Sequence, residues 1–249
     1  MRVTIAIERY NPASDSAPYE QSYTVDVLAE QRVLDALIAI KRNEDATLGF
    51  RYSCAHGVCG SDAMRINGRE RLACKTLFKD VVEKDGDTVT LQPLQHMPVE
   101  RDLMVDQTGF FENYRSVRPY LFAKDPVGTA EQREQLQAVE ERAAFDDATK
   151  CILCGACYSA CPVLEKRPSF IGPAALVQAA RFVQDSRDQG LEARIDVLDS
   201  ADGVWGCDGH FECTRVCPRE IKVTKLINQM KRQIKQYRAD RGEQTAEDT

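Results

Sequence analysis

The run CILCGACYSACP sets Cys151, Cys154, Cys157 and Cys161 at C-x2-C-x2-C-x3-C, with Pro162 directly after. CDGHFECTRVCP repeats that register with Cys207, His210, Cys213, Cys217 and Pro218, one cysteine giving way to histidine. Thiolates in this register hold cubane iron–sulfur clusters. Three come from one run, and the cysteine before proline reaches in from the other. On that rule Cys151, Cys154, Cys157 and Cys217 surround a [4Fe–4S] cluster, while Cys161, Cys207 and Cys213 are three thiolates that suit [3Fe–4S]. His210 stands where a fourth thiolate belongs. It either fills the vacant corner of the third cluster or ligates a fourth iron through imidazole, as histidine does in Rieske centres. A structural zinc site is the alternative for the C-x2-C pairs, but it has no use for two reach-over cysteines before proline.

A shorter loop, CAHGVCGSDAM, has the C-x4-C-x2-C spacing of a [2Fe–2S] centre with Asp62 in the third position. Cys54 and Cys59 fit the first two places, and Cys74 in RLACKT supplies the distant thiolate. Asp62 either gives iron an oxygen ligand or caps a turn and leaves that place to water. Gly57 and Gly60 let backbone N–H groups approach the sulfides and tune the cluster's potential. All ten cysteines are then assigned, and none remains as a nucleophile. His56, His96 and His210 form no acid–base or zinc constellation, so no catalytic residue and no substrate chemistry is read in the chain.

These groups need two kinds of scaffold. In the first part Val3, Ile5 and Ile7 share one strand face and Tyr23, Val25 and Val27 another, which predicts a hairpin. Val33, Leu34, Leu37 and Ile38 follow at helical spacing, then the cysteine loop, a short AMRING segment and the strand TVTLQPL. Asp85-Gly86 marks a turn, and Pro93 and Pro98 close the unit. The second part reads as helical, with EQREQLQAVEERAAFDDA before the first dicluster run and GPAALVQAARFVQDS after it, Pro173 near a helix start. The fold class is α+β, with domains at 1–105 and 106–249. Residues 219–241, rich in Lys and Arg, predict a solvated helix face; a basic edge facing lipid headgroups is the alternative.

Composition excludes other classes. Net charge is −6 and the pI near 5.3, against a duplex nucleic-acid binder. VLDALIAI falls far short of the roughly 20 apolar residues of a membrane span, and MRVTIAIERY lacks the apolar core of a signal peptide. In a reducing compartment, dense cysteines at regular spacing point to metal rather than disulfides.

With CAHGVCGSDAMRINGRERLACKT, CILCGACYSACP, FIGPAALVQAARFVQDSRDQG and GVWGCDGHFECTRVCP in view, the sequence resembles the iron–sulfur subunit of succinate dehydrogenase and fumarate reductase, respiratory complex II. The resemblance covers nearly the whole chain. It implies an N-terminal β-grasp plant-type ferredoxin domain and a C-terminal all-α helical ferredoxin domain. It also implies a flavoprotein subunit with covalent FAD and hydrophobic membrane anchor subunits where quinone is reduced. Electrons would pass through [2Fe–2S], [4Fe–4S] and [3Fe–4S] in that order, at the cytoplasmic face of the cell membrane. Pro162, Asn228 and Lys231 match positions near the quinone, and CPVLEKRPSF, lacking a tryptophan pair, implies a menaquinone-type acceptor. Asp62 resembles succinate dehydrogenases, whereas FIGPAALVQAARFVQDSRDQG and GVWGC resemble fumarate reductases, so either direction of electron flow fits. A free-standing polyferredoxin carrier is the rival reading.

Overall fold

The computed structural model describes residues 1–123 and 135–242. Contacts divide the chain into two units. The first is Met1–Gly109 with two later returns, Ile152–Ala160 and Val216–Pro218. The remaining described residues form the second. The expected division was a single cut at 105/106; the observed one is discontinuous, because short pieces of both cysteine runs belong with the first unit.

The first unit is built on a five-stranded sheet. Strands β1 (Arg2–Arg9) and β2 (Tyr19–Asp26) pair antiparallel, with Val3, Ile5 and Ile7 buried as their alternation requires. Helix α1 (Val33–Asn43) buries Val33, Leu34, Ala36, Leu37 and Ile40 on one stripe. β3 (Ala63–Ile66), β4 (Arg69–Leu72) and β5 (Thr88–Gln92) complete the order β2-β1-β5-β3-β4, with β5 parallel to β1. This is the expected β-grasp-like arrangement. AMRING reads in the structure as half of a hairpin: Asn67 and Gly68 both have positive φ, +50° and +73°. They join β3 to β4 in the two-residue turn that matches strand twist. β6 (Val99–Arg101) and β7 (Met104–Val105) form a separate small ribbon.

A buried charge cluster fixes the approach to the first cysteine loop. Arg9, 4% exposed, pairs with Asp45 at 2.5 Å and with Asp102 at 3.0 Å. Asp102 also accepts the Gly49 N–H at 2.7 Å, just upstream of Cys54. Arg9→Met leaves both carboxylates without their cation and should cost about 3 kcal/mol, read as a lower urea midpoint. Hydrogen bonds from Thr47 and Tyr23 hold the Asp45 carboxyl well below the usual range. Its share of the stability is therefore complete above about pH 4 and fades as acid approaches the depressed value.

The second unit is helical. α2 (Thr108–Ser116) and α3 (Val139–Thr149) precede the first run, which contributes α4 (Ala156–Ser159) and α5 (Pro162–Lys166). α6 (Gly172–Val183), α7 (Leu191–Leu198), α8 (Glu212–Arg215) and α9 (Val223–Asp240) follow. α4 belongs by contacts to the first unit. α6 has Pro173 in its first turn, is buried from Gly172 to Ala180, and packs against α3 and α9. The helix expected over 131–148 is shorter: α3 begins after Ala138, since QLQA offers no apolar stripe to bury, and residues 131–134 lie outside the described ones. α9 buries Val223, Leu226, Ile227, Met230 and Ile234 and exposes Lys225, Arg232 and Lys235, a solvated basic face. Arg194, fully buried, pairs with Asp188 at 2.7 Å and donates to the carbonyls of Val117, Arg118 and Tyr120, fastening that segment to α7. Among the described residues no helix is long and apolar enough to cross a membrane.

Candidate metal centres

Three left-handed residues, Ala55, Gly57 and Gly60, curl the first loop at φ of +55°, +72° and +71°. The curl turns the N–H groups of His56 and Cys59 onto Cys54 Sγ, each at 3.3 Å. Such a backbone nest favours negative charge. The amides of His56, Val58 and Cys59 accordingly hold the Cys54 thiol down to about 6.

The β3–β4 hairpin delivers the other two groups. Ala63 pairs with Leu72, so Asp62 and Cys74, just outside the paired ends, meet. The Cys74 N–H donates to Asp62 Oδ2 at 2.5 Å. Asp62 is 2% exposed and its Oδ1 makes no hydrogen bond. Burial and the adjoining Asp62 carboxylate push the Cys74 thiol up to about 12. A buried oxygen without a donor beside a thiol that resists ionisation is an arrangement a cation relieves, since metal binding displaces the thiol proton. The donor set present fits iron.

The two dicluster runs share a backbone as well as a register. Leu153 and Gly155 have φ of +53° and +81°; Gly209 and Phe211, at the same offsets, have +75° and +67°. α4 and α8 then begin at equivalent places. A left-handed leucine and phenylalanine each cost about 1–2 kcal/mol, and strain repeated at one offset marks a loop shaped for what it holds. Glycine and bulky residue exchange places between the runs, so the sequence alone conceals this repeat.

In the second unit Cys161, Cys207 and Cys213 lie within electrostatic reach of one another. Burial first, and then its neighbours Cys213 and Cys207, push the Cys161 thiol up; Cys213 is raised in the same way by burial and Cys207. Cys154, Cys157 and Cys217 fall in the first unit, whereas Cys151, one residue before that return, is the last residue of a segment of the second. His210 is 47% exposed, its Nε2 4.0 Å from Asp208 Oδ2. Pro162 starts α5 directly after Cys161. Lys231 donates to the Cys207 carbonyl at 2.8 Å and lies over the Trp205 ring, which Lys235 and Arg238 also face. Asn228 is exposed one turn earlier on α9. Sequence reading missed Trp205, although it is the single tryptophan and sits two residues before Cys207. Among the described residues, no three His, Cys, Asp or Glu side chains crowd together as ligands of one lone ion.

A 2Fe-2S iron-sulfur cluster binding domain matches residues 4–112, and a 4Fe-4S dicluster domain matches 147–221. The fumarate reductase iron-sulfur subunit of Mycobacterium tuberculosis is 42% identical over 232 residues, 92% of each chain. The chain belongs to the family of succinate dehydrogenase and fumarate reductase iron–sulfur subunits. The succinate dehydrogenase iron-sulfur subunit of Coxiella burnetii is 41% identical, over 94% of this chain and 97% of that one. Among solved structures, a chain of the Mycobacterium smegmatis Sdh1 complex in the apo form is 29% identical, with a TM-score of 0.80 and 96% of each chain covered. The family's work is electron transfer, and the two matched domains supply its [2Fe–2S] and dicluster sites.

Proposed function

We propose that this subunit relays electrons between a flavoprotein partner carrying FAD and a quinone of the menaquinone type, bound beside hydrophobic anchor subunits at the cytoplasmic face of the membrane. Its ligand sets are Cys54, Cys59, Asp62 and Cys74 for [2Fe–2S], Cys151, Cys154, Cys157 and Cys217 for [4Fe–4S], and Cys161, Cys207 and Cys213 for [3Fe–4S]. The clusters supply one-electron redox chemistry. The observation that carries the last two sets is the partition of the runs. Cys217 departs from Cys213 to join the unit of Cys154 and Cys157, while Cys161 departs from Cys157 to lie near Cys207 and Cys213. That exchange is what reach-over ligation requires.

The chain's own residues do the remaining work. Amides around Cys54 favour the added negative charge of an arriving electron. Val58, 62% exposed, and Tyr52, 46% exposed, give the first loop an apolar rim for a partner. Burial of Cys161 and Cys213 keeps water from the third centre. Lys231, held against the Cys207 carbonyl, sets a positive charge beside that centre, where a quinone gaining electrons is stabilised. Pro162 and Asn228 would border the same acceptor, and His210 would stand at the vacant corner of the third cluster. Relatives named for either direction match at nearly equal identity, 42% and 41%, so the reading covers flow both ways.

Purification under mild detergent tests it. The subunit should come with a large flavoprotein and a hydrophobic protein, and catalyse dye-independent quinone reduction; a lone coloured monomer would favour the polyferredoxin instead.

A further inference from the structure

Gly60 follows Cys59, assigned to the first centre, and lies against Cys154, assigned to the second. A Cβ on Gly60 would stand 2.6 Å from Cys154 Cβ and 3.0 Å from its Cα, with Ile152 Cδ1 at 3.4 Å. The nearest atoms are the Cβ and backbone Cα of a cysteine, not the yielding tip of a long side chain. Glycine therefore lets two ligand-bearing stretches of chain touch where any other residue would hold them apart. A buried clamp keeps them together: Ser159, 1% exposed, donates to Glu70 Oε1 of β4 at 2.8 Å and accepts the Gln95 N–H at 2.8 Å. Glu70, 6% exposed, also lies 3.9 Å from Arg65 Nε. Ser159 sits between Cys157 and Cys161, so the clamp fastens the first run to the sheet that carries Cys74.

We propose that Gly60 is a positioning residue for electron transfer, its missing side chain letting the backbone next to Cys59 lie against Cys154 and so coupling the first centre to the second, with Ser159 and Glu70 as the clamp. The inference rests on the ligand sets proposed above. The contact passes one electron, oxidising the centre at Cys59 and reducing that at Cys154; no bond forms or breaks and no proton is required.

The test uses the assembled complex, wild type and Gly60→Ala, reduced by dithionite. In the wild type the paramagnetic second centre should speed relaxation of the first, so that the [2Fe–2S] EPR signal should resist microwave saturation. In Gly60→Ala that signal should saturate at several-fold lower power and quinone reduction should slow, with both centres integrating to wild-type spin. Wild-type saturation with both centres intact would overturn the proposal and leave Gly60 as a residue needed only for its left-handed φ. Should the alanine variant lose its first cluster, Ser159→Ala decides by the same readout: earlier saturation, restored by Ser159→Thr, supports the clamp, and no change refutes it. Absence of either signal from the wild type would count against the ligand sets instead.

Discussion

Cys154→Ala should abolish quinone reduction while a flavoprotein partner still reduces a soluble dye from succinate. Cys154 is 9% exposed and stands between left-handed Leu153 and Gly155, so the loop has no slack to offer a substitute ligand. Alanine has no donor, so on the proposed ligand set one iron of the second centre would lose its thiolate. Removing even a group that only supports a metal ligand typically costs 10–100-fold in affinity or activity, so losing the ligand itself should cost at least about 100-fold. Dye accepts electrons before the break and quinone after it. The check is a pair of assays on complex of normal subunit content. Loss of both activities, or survival of both, would contradict a relay through Cys154.

Asp62→Asn separates ligation from capping, the second large effect. Asparagine keeps an oxygen that can accept the Cys74 N–H, now 2.5 Å from Asp62 Oδ2, so a mere cap survives the change. What disappears is the negative charge at the buried Oδ1, which makes no hydrogen bond. Ligation predicts an occupancy of the [2Fe–2S] centre lowered by about 10-fold or more, and recovery with an altered EPR spectrum in Asp62→Cys, where thiolate replaces oxygen. Full occupancy in Asp62→Asn would return the aspartate to the turn and leave water on that iron. Iron and spin quantitation on the three proteins decides.

The cysteine runs were legible because coordination chemistry fixes spacing more tightly than folding fixes anything else local. The β1–β2 hairpin and α1 were legible for a different reason: Ile5 and Ile7 alternate, and Leu34 and Leu37 recur at one helix stripe. β4 was not, since RERL carries no alternation and is ordered by its Asn67-Gly68 turn and by β3. The early start expected for α3 rested on charged residues with good helix propensity but nothing to pack against, and packing decides where helices begin. Contacts such as Gly60 with Cys154, Ser159 with Glu70, or Lys231 with Cys207 join residues far apart in sequence, and no local pattern encodes them. The shared left-handed shape of the dicluster loops was hidden because Leu153 and Gly209 are unlike residues in one conformation.

Iron and acid-labile sulfide per chain, measured on the complex purified anaerobically and counted alongside its EPR centres, bear most directly on the three ligand sets. They require about nine irons and three distinct signals, one of them present before reduction. About ten irons with no signal in the oxidised protein would place a fourth iron at His210 and overturn the three-thiolate set; zinc, or fewer than about eight irons, would contradict the sets altogether.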